Sequence, residues 1–137
     1  MSLVVDTSVI ISVITNEIHK KKLIGKTKGE ELIAPISLHW EIANVFSAMF
    51  KRDRISLEQA KEAMKYYFQI KLRFVEVNLN KALDIALNYN IYAYDAYFIV
   101  CAKQYKSKLI SLDKGLIHVA KQNKIITIEV QDEYLHI

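Results

Sequence analysis

Leu3-Val4-Val5-Asp6-Thr7-Ser8-Val9-Ile10-Ile11 places a short apolar run, an acid and two hydroxyls ahead of a second apolar run. Adjacent valines favour an extended backbone, and the run is too short for a helix. It reads as a strand over residues 3–6. Asp is a favoured N-cap, so a helix over 7–15 follows. A strand apolar on both faces is buried on both, which is the habit of parallel sheets covered by helices. The same grammar returns at Leu109-Ile110-Ser111-Leu112-Asp113, with a helix expected over 114–123.

Between these stretches, strands and helices alternate. Further strands are expected at 31–34, ending at Pro35, at 74–77 and at 125–128. The basic segment 20–28 reads as helix or loop. Ser37 is expected to cap a helix running to about Lys51, apolar on nearly all sides and therefore buried. Ser56 with Gln59 three residues later is a capping-box pattern, opening a helix with Leu57, Ala60, Ala63, Met64, Tyr67 and Phe68 on one face. Asn78 suits the cap of a helix over 79–89, and another helix is expected over 95–106. Five short strands separated by helices give an α/β fold in three layers, with a central, mostly parallel sheet. A chain of 137 residues supports one core, so residues 1–137 are read as a single domain.

Composition narrows the class. Apolar residues make up 52% and charged residues 25%, a globular balance, and only 3 Gly and 1 Pro fit helices with short connections. No apolar stretch approaches the roughly twenty residues of a membrane span. The N-terminus lacks a basic region ahead of its apolar start, and one cysteine forms no internal disulfide, so a cytoplasmic protein is expected. The last nine residues hold three acids and no Lys or Arg, which leaves 19 basic against 12 acidic side chains in residues 1–128. That excess suits a polyanionic partner, or simply a lysine-rich solvated surface.

Four acids sit where acids are costly. Asp6 and Asp113 close apolar strands, and parallel sheets place their sites beyond the carboxyl ends of strands. Asp95 precedes the apolar run Ala96 to Ala102, and Glu41 lies among Trp40, Ile42, Val45, Phe46, Met49 and Phe50. Each aspartate could be no more than a helix cap. Glu41, four residues past Ser37, has no cap role. No Lys or Arg lies within three residues of Asp6, Glu41 or Asp95. Two ionised carboxylates about 5 Å apart repel by roughly 3 kcal/mol at an effective dielectric of 20. Such a group calls for a cation, and oxygen-only ligands favour Mg²⁺, with Mn²⁺ as a substitute, over zinc. Four scattered histidines with one cysteine offer no zinc spacing. Gly25-Lys26-Thr27 fails as a phosphate-binding loop because Lys20 stands where the first glycine is required. Cys101 reads as core.

Four segments in order resemble the motifs of PIN-domain nucleases: Val4-Val5-Asp6-Thr7-Ser8-Val9-Ile10-Ile11, Glu41-Ile42-Ala43-Asn44-Val45-Phe46, Tyr94-Asp95-Ala96-Tyr97-Phe98-Ile99, and Leu109-Ile110-Ser111-Leu112-Asp113-Lys114-Gly115-Leu116. The minimal length is similar to that of VapC-type toxins of toxin–antitoxin pairs. The resemblance implies a PIN-like fold and Mg²⁺-dependent endonucleolytic cleavage of RNA. It makes Asp6, Glu41, Asp95 and Asp113 the catalytic and metal-binding acids, with Ser8, Asn44 and Ser111 as polar support. Ser111 stands where the family often has Thr. Two other settings fit the same motifs: a PIN nuclease of RNA processing outside a toxin pair, and a PIN fold that binds RNA or protein without cutting.

Lys20, Lys21, Lys22 and Lys26, with Arg52, Arg54 and Lys114, are the candidates for tracking an RNA backbone. The segments around Trp40, Phe46, Met49 and Phe50, and around Tyr66, carry more apolar surface than a small domain readily covers. The resemblance suggests a homodimer and a cognate antitoxin as the users of that surface.

Overall fold

A computed structural model describes residues 2–130; Met1 and residues 131–137 of the expected single domain lie outside it. In chain order the elements are β1 (Ser2–Val5), α1 (Thr7–Ile14), α2 (Lys20–Thr27), β2 (Glu31–Pro35), α3 (Ser37–Lys51), α4 (Leu57–Gln69), β3 (Leu72–Val75), α5 (Leu79–Tyr89), α6 (Ala93–Gln104), β4 (Lys108–Ser111), α7 (Lys114–Gln122) and β5 (Thr127–Glu129). The five strands form one all-parallel sheet in the order β3-β2-β1-β4-β5.

The strand order positions the site. The chain steps outward from β1 to β3, then returns to start β4 on the other side of β1. Right-handed crossovers therefore send α1–α4 to one face and α5–α7 to the other. Contacts agree: α1 gathers α2, α3 and α4, while α6 lies across β1, β2 and β4 with α5 and α7 beside it. The reversal makes the gap between the carboxyl ends of β1 and β4 a topological switch point, the place where such sheets bind ligands. Val5 pairs with Ile110, so the next residues, Asp6 and Ser111, meet at that edge.

The core is the apolar content of β1, β2 and β4 sealed by helices. Leu3, Val4, Ile33, Leu109 and Ile110 are fully buried against Val9, Ile10, Leu38, Ile42, Phe98 and Ile99. Each such side chain contributes roughly 1.5–3 kcal/mol relative to exposure. Cys101 is part of this core, and burial pushes its thiol up to about 12.

Several expectations shift. The third strand is Leu72–Val75 and not 74–77, because the Glu76 carbonyl is taken by the side chains of Gln104 and Tyr105, at 3.2 and 2.7 Å, instead of a strand neighbour. Ser37 does not cap α3. Ile36 holds the cap position in helical geometry, and the Ser37 hydroxyl is buried without a hydrogen-bond partner. The helix expected from Asp95 starts two residues earlier, capped by Tyr92, which leaves Asp95 inside the first turn. The caps at Ser56–Gln59 and Asn78 form as expected. Helix α3 is buried only along Leu38, Ile42 and Phe46, whereas Trp40 is 66% exposed. On α4, Leu57 and Phe68 are exposed too. His39 is held by the Tyr67 hydroxyl at 2.9 Å and ringed by Trp40, Phe68 and Phe74.

Candidate metal centre

Asp6 ends β1 with its carboxylate only 3% exposed. Its Oδ1 accepts from the Val9 amide at 3.1 Å, so it does cap α1, and also from the Ser8 hydroxyl at 2.7 Å. Its Oδ2 accepts from the Ser111 hydroxyl at 2.5 Å. Both hydroxyls face two ways. Ser8 Oγ accepts from the Leu112 amide and Ser111 Oγ from the Asp113 amide, each at 2.9 Å. Two serines thus tie the end of β1 to the turn that follows β4. A carboxylate has about four acceptor positions, and three of Asp6's are filled.

Asp113 caps α7, its Oδ1 accepting from the Gly115 and Leu116 amides at 2.9 and 3.2 Å. Gly115 matters here because a Cβ would lie 3.3 Å from that oxygen. Glu41 enters from α3, one turn past its start, and Thr7 donates to its Oε2 at 3.2 Å. Asp95 enters from the first turn of α6. All four acids line one concavity of about 340 Å³, together with Thr7, Ser8, Ile11, Val45 and Phe98.

Electrostatics follow from crowding and burial. Burial raises the Asp6 carboxyl to about 6, against the lowering pull of its serine and amide donors, and Asp113 adds repulsion. Burial raises Glu41 to about 7, opposed by Thr7 and reinforced by Asp95 and Asp6. Asp95 is raised by burial and by Asp113. Among the described residues, no Lys or Arg forms an ion pair with any of the four; the pairs present are Lys65–Glu62, Arg73–Glu31 and Lys121–Glu129. A buried carboxylate without a cation is costly.

The donor set fits a hard divalent cation. It is all oxygen, it carries excess negative charge, and it opens to solvent. Among the described residues no three acidic, histidine or cysteine side chains converge into a ready ligand cage. Mg²⁺ keeps several waters and takes one or two carboxylates directly, so a loose arrangement of acids suits it better than it would suit zinc.

The remaining expected residues divide. Ser8 and Ser111 are in the site, whereas Asn44 is exposed and does not line the concavity; Val45 does. Lys114 adjoins Asp113 at the start of α7. Lys20 leans on the Tyr66 ring, with Nζ 5.9 Å from its centroid. Lys21 is exposed, and Lys22 and Lys26 line a recess with Glu129. Arg52 and Arg54 follow the far end of α3, roughly 16 Å along the axis from Glu41. Thr7 was missed by sequence reasoning. Its place beside Asp6 was the available signal, but its partner lies on another helix. Also missed was an exposed stripe of Leu79, Leu83 and Leu87 on α5, at 61, 62 and 83% exposure.

Residues 3–122 match the family profile described as PIN domain. The fold is similar to the crystal structure of PAE2754 from Pyrobaculum aerophilum, with a TM-score of 0.70 and 19% identity over 93% of this chain and 83% of that one. It is similar to VapBC2 from Rickettsia felis, solved bound to a DNA fragment from its promoter, with a TM-score of 0.62 and 11% identity over 94% of this chain and 98% of that one. A toxin–antitoxin complex from Klebsiella pneumoniae gives a TM-score of 0.58 and 12% identity over 81% and 86%. At these identities the likeness is one of fold. A sequence search among curated proteins gave no match.

Proposed function

The chain belongs to the PIN-domain family, and from that premise we propose that it is a metal-dependent endoribonuclease acting as the toxin of a VapBC-type pair in the cytoplasm, with the whole of residues 1–137 serving as one nuclease domain. The observation that carries the reading is the convergence of Asp6, Glu41, Asp95 and Asp113 on one concavity at the switch point, with no Lys or Arg among the described residues paired to them.

In this reading Asp6, Glu41, Asp95 and Asp113 would hold Mg²⁺, or Mn²⁺ in its place, directly or through water. The cation supplies charge relief for the phosphoryl oxygens and eases deprotonation of water. The protein's own contribution is positional. Ser8 and Ser111 fix both oxygens of Asp6, and Thr7 orients Glu41. A carboxylate not bound directly takes the proton of the attacking water. Asn44 is left as outer support at most.

Two partners follow. The fold is shared with two toxin–antitoxin structures, which supports a cognate antitoxin. Exposed Trp40, Tyr66 and Phe68 on α3 and α4 support a homodimer, since apolar surface of this kind marks interfaces. Sedimentation at micromolar concentration tests the second point; a strictly monomeric species removes it and leaves the nuclease untouched. No helix among the described residues is long and apolar enough to cross a membrane.

The deciding experiment is cleavage of single-stranded RNA. Cutting is expected with Mg²⁺ or Mn²⁺, weakly if at all with Zn²⁺, and not in excess EDTA. Undiminished cutting in chelator overturns the metal-dependent reading, and binding without cutting under every metal points to a recruitment module.

A further inference from the structure

The acidic concavity does not stand alone on its edge of the sheet. Ser111, which holds Asp6, also forms one wall of a recess of about 310 Å³ lined by Leu112, Lys114, Ile117, His118, Lys121, Glu129 and Val130. Glu129 closes that recess and opens the next, of about 470 Å³, lined by Lys22, Gly25 and Lys26. The second and third recesses share Glu129, while the acids and the second recess share no wall and adjoin only through Asp113 and its neighbour Lys114, so the three depressions lie in succession along an interrupted channel from the acids to α2.

The basic side chains and the histidine ring along it have a pattern. Lys114, His118 and Lys121 stand at i, i+4 and i+7 on α7, which puts them on one face of the helix. Lys22 and Lys26, four apart on α2, continue the line. From the acids outward the charge turns from negative to positive. Glu129 interrupts this, with its Oε1 2.5 Å from Lys121 Nζ.

We propose that this channel is the exit track of the RNA strand on one side of the cleaved bond, with Lys114, Lys121 and Lys26 on successive phosphates and the His118 ring against a base. The proposal rests on the ribonuclease reading. Single-stranded RNA fits because it joins a flexible polyanionic backbone to unpaired bases that stack on side-chain rings. In the free protein Glu129 occupies Lys121 as a phosphate mimic, and the strand exchanges that carboxylate for its own phosphate. His118 and Lys121 are therefore substrate-binding residues that set affinity, and Glu129 is a positioning residue that acts through Lys121.

The test is binding of a labelled single-stranded oligoribonucleotide in EDTA, where cleavage is arrested, over a range of KCl concentrations. Each phosphate neutralised on a single strand adds about 0.7 to the slope of log affinity against log salt. Lys121→Gln is expected to weaken binding several-fold and to lower the slope by about 0.7, a signature that loss of structure alone does not produce. His118→Ala should weaken binding with the slope unchanged, because a stacked ring releases no counterion. Glu129→Gln should tighten binding. Lys61→Gln, a lysine removed from exposed α4 away from the channel, is the control and should change neither quantity. Under Mg²⁺, Lys121→Gln, His118→Ala and Glu129→Gln should alter KM and leave kcat in place, and Lys61→Gln should alter neither. Affinities and slopes for Lys121→Gln and His118→Ala equal to wild type overturn the track while the nuclease stands. A wild-type protein that neither binds nor cuts RNA overturns both.

Discussion

The acidic centre has two halves, and they are built differently. The half at the ends of β1 and β4 is bolted in place: Asp6 receives three donors, Asp113 receives two backbone amides, and Ser8 and Ser111 lock one strand end to the other. The half contributed by helices is lightly held. Glu41 has one hydrogen bond of 3.2 Å, and Asp95 projects from the first turn of α6 without acting as its cap. A frame fixed before any ligand arrives faces two side chains free to adjust. In the proposed reading the strand-end acids would set where a cation sits, and the helix acids would complete its surroundings.

The sharpest break in that comparison comes from removing acids on either side. Asn caps as well as Asp, so Asp6→Asn and Asp113→Asn are expected to fold, as are Asp95→Asn and Glu41→Gln. All four should lose RNA cleavage by more than the roughly 10–100-fold that loss of an outer partner costs. Normal cleavage by the Asp6 or Asp113 variant would return those residues to the status of caps. Next in size, Ser111→Ala and Ser8→Ala should lose about 10–100-fold, because Asp6 keeps its place but not its orientation. An equal loss in Asn44→Ala, expected to be near wild type, would mean that polarity anywhere on this edge matters and that the bolted frame is no special device.

Stability supplies a third contrast. In metal-free protein, Asp6 and Glu41 titrate in the folded state at about 6 and about 7, above their ordinary values of 3.8 and 4.5. The folded state then binds more protons than the unfolded one, so stability falls as pH rises from about 4 through 7. For buried Asp6 the shift corresponds to a loss of roughly 3 kcal/mol across that window. Denaturant melts at several pH values in EDTA should show the decline, and Asp6→Asn should flatten it. A metal-free stability that increases over the same range would contradict the burial. Smallest is the effect of added Mg²⁺, which at a hundred times its Kd stabilises by about 2.7 kcal/mol. Thermal melts should show that gain in wild type and much less of it in Asp95→Asn; an equal gain in both would take Asp95 out of the cation's surroundings.

The bolted half was the half legible in sequence. Strand ends are marked by local pattern, and a parallel sheet dictates that they share an edge, so the sequence alone puts Asp6, Ser111 and Asp113 together. What local pattern does not hold is strand order, and the exchange of partners between Ser8, Ser111 and Asp6 depends on β1 lying next to β4. The helical half was read less well. Glu41 stands out as an acid with no cap role, but Asp95 reads as a helix start because Ala93 and Tyr94 ahead of it carry no cap signal. Amphipathic spacing also misled. Leu57 and Phe68 sit on the face of α4 expected to be core yet are exposed, since periodicity says which residues share a face and not what covers it.

The hydrogen bond between Ser111 and Asp6 joins residues 105 positions apart. Its consequence concerns time more than shape. A chain made from its N-terminus exposes Asp6 to the solvent long before β4 exists, and the partner that seats its carboxylate arrives among the last strands. Contacts of such long sequence separation form late and slowly in folding. A growing polypeptide thus carries Asp6, Glu41 and Asp95 before the strand that seats Asp6, and before Asp113 just beyond it, has been made.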